Sequence, residues 1–402
     1  KYLSIPEVDI DEIIVTYQEY YQELDKEIVG FAAKMKRIHP WSDFDRVTHS
    51  EEKYKEFKNS TTKSVNYLVK EFEMRKSADE YRRSSIAKTG VIDTNLLHTY
   101  KWNEDVFKRL TVVPGAKNHG MVFFLDWSGS MDVCLRNTVK QLYNLIWFCN
   151  KVQIPFEVYA FSELEPYKHP FGQREFVTKK AMDISIHNGI RLHQIFTSKM
   201  KNNILDACMQ KFWLLVHNQA YFSSWFSLGG TPLSEAIICS KGIAQRFLKT
   251  YRVQKMNLIF LTDGEANPMN RWIEWNRSTY CPDGYLPSAL GGHSSFNDRY
   301  ILRDQSRSYI MNKYDSYEQV KTMLEWLKDN VNANVIGFRL CDDRDARSYV
   351  NGHTNDNWES MNVNWKKDRS VALKNVGGFD QMYLIKNDKT LGADTKDITV
   401  DD

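Results

Sequence analysis

The chain has 402 residues, a formal net charge of +3, 26% charged residues and 42% hydrophobic residues. That is enough apolar material for one large domain with a smaller companion, and the near balance of charge excludes the basic excess that draws proteins onto nucleic acid or anionic membranes. Its six cysteines, Cys134, Cys149, Cys208, Cys239, Cys281 and Cys341, form no C-x-x-C pair and have no histidine at zinc-finger spacing, so they suit buried thiols in a reducing cytosol.

Residues 1–85 read as a helical region: Ile10, Ile13, Ile14, Tyr17, Tyr20, Tyr21, Leu24 and Ile28 recur at three- and four-residue spacing. The proline-bearing stretch His39–Asp43 interrupts it, and a second run follows through Tyr54, Phe57, Val65, Tyr67, Leu68 and Phe72. Residues 86–119 form a connector with local strands, in which His98, Trp102 and Phe107 are expected to pack onto the sheet.

From residue 120 to 390 the periods alternate as in a doubly wound, mainly parallel α/β sheet with helices on both faces. Strands are predicted over 121–125, 155–161, 190–196, 256–261, 334–340 and 380–385. Helices are predicted over 133–150, 199–219, 232–248, 317–330 and 360–375. The polar, proline-bearing stretch 265–315 is an insertion, since structureless loops beyond about 12–15 residues are uncommon in compact domains. CDDRDARS, around Arg344 and Arg347, reads as a solvated loop of mixed sign, and 391–402 as an acidic tail. No secretory signal and no apolar run of about 20 residues is present, so a cytoplasmic protein that neither spans nor enters a membrane is expected. The chain opens on Lys1 instead of methionine, and a longer parent polypeptide is expected.

Three segments carry the chemistry. FFLDWSGSM places Asp126, Ser128 and Ser130 directly after an apolar strand at D-x-S-x-S spacing, with Gly129 allowing a tight turn. A strand-end carboxylate and two hydroxyls offer hard oxygens to one small cation, and magnesium wants about six oxygens, so other loops must contribute. SLGGTPLSEA supplies Thr231 at a helix entrance, with Pro232 at the first helical position, and IFLTDGEAN supplies Asp263 after a second buried strand. Without a metal, the same serines and aspartate would be ordinary helix caps; three loops in this order, each at a strand end or helix start, favour the metal. Trp127 is expected at the rim as a partner-contact aromatic, and Glu265 as a solvated loop acid. His187 and His193 are six residues apart, which matches no zinc pattern, and read as ordinary strand or turn histidines. Ser128 is no nucleophile: G-x-S-x-G is absent and no His/acid partner can be placed.

DWSGSM, GGTPL and TDG together resemble the three parts of the metal-ion-dependent adhesion site of von Willebrand factor A (vWA) domains, over roughly residues 115–390. The resemblance implies that Asp126, Ser128, Ser130, Thr231 and Asp263 hold Mg2+, or Mn2+ or Ca2+, and that the last coordination position takes a carboxylate from a protein partner. TGVIDTNLLHTYKWNEDVFKR, ahead of the first metal loop, is similar to the approach to the vWA domain in the metal-bearing subunit of aerobic cobaltochelatase and its phage-encoded relatives. That likeness implies a MoxR- or chelatase-type AAA+ ATPase, or its client, as the partner, in host cytoplasm if phage-encoded. The chain has no G-x-x-x-x-G-K-[ST], so ATP hydrolysis would belong to that partner. The rivals to a non-enzymatic adaptor are a chelatase subunit or peptidase-like enzyme using the metal as a Lewis acid, and a structural assembly protein.

Overall fold

The structure is a computed structural model describing residues 2–38, 46–83, 85–92, 107–112, 118–163, 177–186, 190–263, 266–275, 284–290, 299–304, 307–312, 315–354 and 358–387. The break at His39–Asp43, together with His98, Trp102, His187, Glu265, Cys281 and the acidic tail, lies outside them.

The N-terminal segment contains β1 (Tyr2–Ser4), α1 (Ile10–Ile13), β2 (Ile14–Val15), α2 (Tyr17–Ile38) and α3 (Arg46–Arg83). Thr16 and Glu19 close a reciprocal capping box at the start of α2, at 2.9 Å and 3.4 Å. The antiparallel pair β3 (Ser85–Ile92) and β4 (Phe107–Val112) follows.

The main body then runs β5 (His119–Asp126), α4 (Leu135–Lys151), β6 (Phe156–Glu163), β7 (Ile190–Thr197), α5 (Asn202–His217), α6 (Leu233–Tyr251) and β8 (Lys255–Leu261). The insertion folds as two hairpins, β9 (Asn270–Glu274) with β10 (Tyr285–Ala289) and β11 (Tyr300–Asp304) with β12 (Arg307–Met311). α7 (Ser316–Asn330), β13 (Ala333–Cys341), α8 (Asp343–His353), α9 (Trp358–Asp368), β14 (Ser370–Val376) and β15 (Phe379–Lys386) complete it.

The central sheet has eight strands in the order β14-β15-β13-β8-β5-β6-β7-β2. The five strands β15, β13, β8, β5 and β6 are mutually parallel, with β7 antiparallel to β6 and β14 antiparallel to β15. Alternate residues of each central strand face opposite layers, as the pleat requires. Val122, Phe124, Leu258 and Phe260 point into the core beneath α6 and α7. Phe123, Leu125, Ile259 and Leu261 point into the core beneath α2, α3, α4 and α5.

The structure departs from the sequence reading at several points. β2 joins the sheet edge by pairing in parallel with β7, and β1 pairs in parallel with β11 of the insertion, so the N-terminal segment supplies strands as well as helices. CDDRDARS is no loop: Asp342 caps α8 by accepting from the Asp345 amide at 2.8 Å, and Ala346, Tyr349 and Val350 bury one stripe of that helix. The helix predicted over 360–375 ends at Asp368, where Arg369 takes a left-handed φ of 54°. Beyond it the burial of Val371 and Leu373 has a period of two, and the chain returns as a hairpin edge. The five described cysteines are free and buried. No helix among the described residues is long and apolar enough to cross a membrane.

Candidate functional site

β5 and β8 lie side by side at the centre of the sheet. After β5 the chain crosses to the α4 face, whereas the helices flanking β8, α6 and α7, pack on the opposite face. Connections that part in this way leave a crevice at the carboxyl ends of the two strands, the place where ligands collect in open α/β sheets. Asp126 is the last residue of β5 and Asp263 lies two residues past β8, so both carboxylates arrive at that crevice.

Backbone bonds hold the other two parts there. The Gly129 amide donates to the Gly229 carbonyl at 2.9 Å, and the Gly229 amide to the Trp127 carbonyl at 3.2 Å, joining the first loop to the second. A Cβ on Gly229 would sit 2.1 Å from the Glu163 carbonyl oxygen, so only glycine permits this approach to the end of β6. The Asn267 amide donates to the Thr231 carbonyl at 2.9 Å, tying the third loop to the second, while the Asn267 side chain donates to Glu163 Oε2 at 3.0 Å. Pro232 is the cap residue of α6, one position earlier than the sequence reading placed it, and the helix proper begins at Leu233.

Asp126 is fully buried. Its Oδ2 accepts from the Thr262 hydroxyl at 2.7 Å, while Oδ1 has no hydrogen-bond partner. Burial pushes its carboxyl up to about 7; the hydroxyl and amide of nearby Ser128 and the Thr262 bond oppose the rise, and the charge of Asp263 adds to it. Ser128 is buried, Ser130 is exposed, and their hydroxyl oxygens stand 3.1 Å apart. Thr231 is buried and Asp263 half-buried. The three loops therefore converge and bring two carboxylates and three hydroxyls to one crevice. Among the described residues no group of three or more His, Cys, Asp or Glu side chains stands where it could hold a metal ion, so an ion in this crevice would rest on the hydroxyls as well as the two carboxylates.

An orphaned, buried carboxylate oxygen beside a pair of hydroxyls is what a hard divalent cation would satisfy, and the all-oxygen donor set suits Mg2+, Mn2+ or Ca2+. The residues present fit such an ion.

Trp127 does not stand at the rim. It is buried, its ring packs on Phe212 with centroids 5.3 Å apart, and its Nε1 donates to the Phe226 carbonyl at 2.9 Å. The exposed apolar side chain near the site is Val133, 85% exposed and three residues past Ser130.

Several supporting residues were missed from sequence. Thr262, beside Asp263, holds Asp126. Arg191 on β7 buries its guanidinium, donating to the Trp225 carbonyl and, at 3.5 Å, to Ser162 Oγ; burial lowers it to about 9. Around it Tyr20 packs against His193, Trp225 and Phe226, so His193 is a packed strand residue, as expected. Glu27 of α2 accepts from the Ser223 amide at 3.2 Å, and Phe31 stacks on Phe222. The N-terminal helix thus braces the stretch that leads to Thr231. Only Thr262 carried a local signal, its place next to Asp263; the rest meet through strand pairing and helix docking.

Glu235, in the first turn of α6, is buried with Oε2 unpartnered, and burial raises it to about 8, its own amide opposing and the Glu163 charge adding. A carboxyl raised in the folded state binds its proton more tightly there than in the unfolded chain. Stability therefore falls as pH climbs from about 4.5 towards about 8, then levels off. Glu235→Gln is expected to remove that slope, worth on the order of a few kcal/mol. Urea midpoints at pH 6 and 8.5 read it as a difference from wild type, and parallel slopes in the two proteins would contradict it.

No family model matches the chain, and no curated protein matches it. Among solved structures it is similar to the pilus adhesin SpaC from Lactobacillus rhamnosus GG, at 16% identity over 69% of this chain and 29% of that one, TM-score 0.31. The type V pili tip protein Mfa5 from Porphyromonas gingivalis follows at 10% identity, over 55% and 42%, TM-score 0.27. The human COPII-coat protein Sec24c stands at 10%, over 64% and 33%, TM-score 0.24. The chain spans less than half the length of each, and at these TM-scores the fold is assigned from its own topology. A six-strand core ordered β7-β6-β5-β8-β13-β15, antiparallel at β7, with helices on both faces and three loops meeting at the switch point between β5 and β8, is a vWA-like fold.

Proposed function

We propose that the chain is a metal-dependent protein-interaction module. Asp126, Ser128, Ser130, Thr231 and Asp263 would hold a divalent cation, Mg2+ in the first place and Mn2+ or Ca2+ as alternatives, and a carboxylate from a partner protein would complete the site. The observation that carries this reading is the buried Asp126 with its unpartnered Oδ1 beside the Ser128 and Ser130 hydroxyls. The bound ion supplies a positive charge at the floor of the crevice, so an incoming Asp or Glu gains a charge-assisted contact. Val133, exposed at the margin, gives the same partner an apolar foothold.

Cys134, just past the first loop, is buried and its thiol is pushed up to about 11 by burial, partly opposed by Thr138, so it offers no thiolate to the crevice. The partner proposed from the sequence likeness is a MoxR- or chelatase-type AAA+ ATPase or its client.

Arrays of short peptides bearing single Asp or Glu residues test the recognition chemistry. Protein with Mg2+ is expected to retain acidic peptides, and to release them with EDTA or when Asp is replaced by Asn in the peptide. Retention that ignores both changes would overturn the proposal.

A further inference from the structure

A second concave site lies between the first two turns of α3 and the C-terminal end of α5. Its volume is about 280 Å³ and its walls include Arg46, His49, Ser50, Lys53, Trp213 and His217. Ser50 and Trp213 are buried, and Ser50 Oγ and Trp213 Nε1 have no hydrogen-bond partner. Leaving two such groups buried and unsatisfied costs about 1–3 kcal/mol each, and both can donate.

The mouth is positively charged. Arg46 lies over the Tyr221 ring at 5.0 Å and pairs with no carboxylate among the described residues. Lys53 is exposed and pairs with Glu56, itself exposed, at 2.8 Å. His49 is exposed as well. No carboxylate is among the described lining residues. The charged groups acting on His217, Arg136 and Lys140 of α4, are both cations, and with burial as the larger cause they hold its imidazole down at about 4. His217 itself is fastened, Nδ1 to the Trp213 carbonyl at 2.9 Å with its ring stacked on the Trp213 indole at 4.2 Å.

Unpartnered buried donors and the Arg46 and Lys53 cations at the rim describe a receptor for a compact oxyanion. A phosphate dianion can accept from Ser50, Trp213 and the Arg46 fork at once, and a planar carboxylate has too few oxygens for all of them. The volume leaves room for a small organic remainder beyond the phosphate, but falls short of a drug-sized cleft of roughly 300–1,000 Å³. We propose that this pocket binds the phosphate group of a small phosphate monoester.

Calorimetry on the whole chain tests it, with EDTA present so that the metal crevice does not contribute, and with glycerol 3-phosphate, inorganic phosphate and glycerol as probes. Glycerol 3-phosphate is expected to bind one to one and several-fold more tightly than inorganic phosphate, and glycerol to give no heat. Arg46→Gln should weaken the ester by about tenfold or more, and Trp213→Phe, which keeps the ring and removes the donor, by several-fold. Lys53→Gln, an exposed position, provides a variant whose folding is not at stake and should also weaken binding. Absence of heat with both phosphates, or unchanged affinity in all three variants, would overturn the proposal. Equal or tighter binding of inorganic phosphate would overturn the monoester assignment.

Discussion

Asp126→Asn is expected to change metal affinity and metal-free stability in opposite directions. In the folded chain the Asp126 carboxylate is fully buried, with one oxygen unpartnered and the charge of Asp263 acting against it. The amide is nearly isosteric and uncharged, and its NH2 can donate towards the Ser128 and Ser130 hydroxyls. In EDTA the variant should therefore melt higher than wild type, since an unsatisfied buried group costs about 1–3 kcal/mol and more when charged. With Mg2+ or Mn2+ the order reverses: loss of a carboxylate should weaken the ion by about two orders of magnitude or more, beyond the 10–100-fold typical of outer-shell partners. Asp126→Ala should lose the ion in the same way, and peptide retention with it. Thr231→Ala removes a neutral hydroxyl and is expected to cost less than either change at Asp126. Melting curves with and without metal, together with titration calorimetry, measure both effects. Equal losses at Asp126 and Thr231, or a variant Asp126→Asn no more stable than wild type in EDTA, would show that charge at this position does not govern the site.

The second large effect is expected at Trp127, one residue from the crevice. A rim aromatic could be truncated with little effect on stability, whereas the buried ring seen here packs on Phe212 and donates to the Phe226 carbonyl. Trp127→Ala should destabilise the fold by about 3–5 kcal/mol, the usual cost of emptying a large aromatic from a core. Because Phe226 lies on the stretch leading to Thr231, and Gly229 is bonded to the Trp127 carbonyl, the second loop loses its footing too. Metal affinity should fall along with stability. Trp127→Phe restores most of the packing but leaves the Phe226 carbonyl without its donor, so an intermediate loss is expected. Urea midpoints decide the matter: unchanged stability with a loss confined to peptide retention would put the ring back at the surface.

Much of the fold was legible because its signals are local. Short apolar runs such as Met121–Leu125 and Met256–Leu261 can only be strands buried on both faces when helix-length amphipathic segments alternate with them. The candidate site was legible for the same reason: each of its three parts is a few consecutive residues at the end of such a run, so D-x-S-x-S, the threonine before a helix and the strand-end Asp263 announce themselves without knowledge of what lies opposite. The errors fall where neighbours decide. Residues 343–353 look polar in sequence, yet Ala346, Tyr349 and Val350 give one narrow apolar stripe and a cap suffices to start the helix. Ser370–Val376 continues a helix-like composition until a left-handed Arg369 and pairing with β15 turn it into an edge strand.

What the sequence by itself determined is the doubly wound architecture and the strand-end or helix-start position of the five residues proposed to hold a cation, because strand period and strand-end motifs are properties of adjacent residues. What only the tertiary structure decided is everything that depends on distant segments meeting. Those features are the burial of Trp127, the orphaned Oδ1 of an Asp126 whose Oδ2 is held by Thr262, the bracing of the Thr231 loop by Arg191 and α2, and the cationic pocket where α3 meets α5. Burial and unpaired hydrogen-bonding capacity are measured against neighbours in space, and no local pattern encodes who those neighbours are.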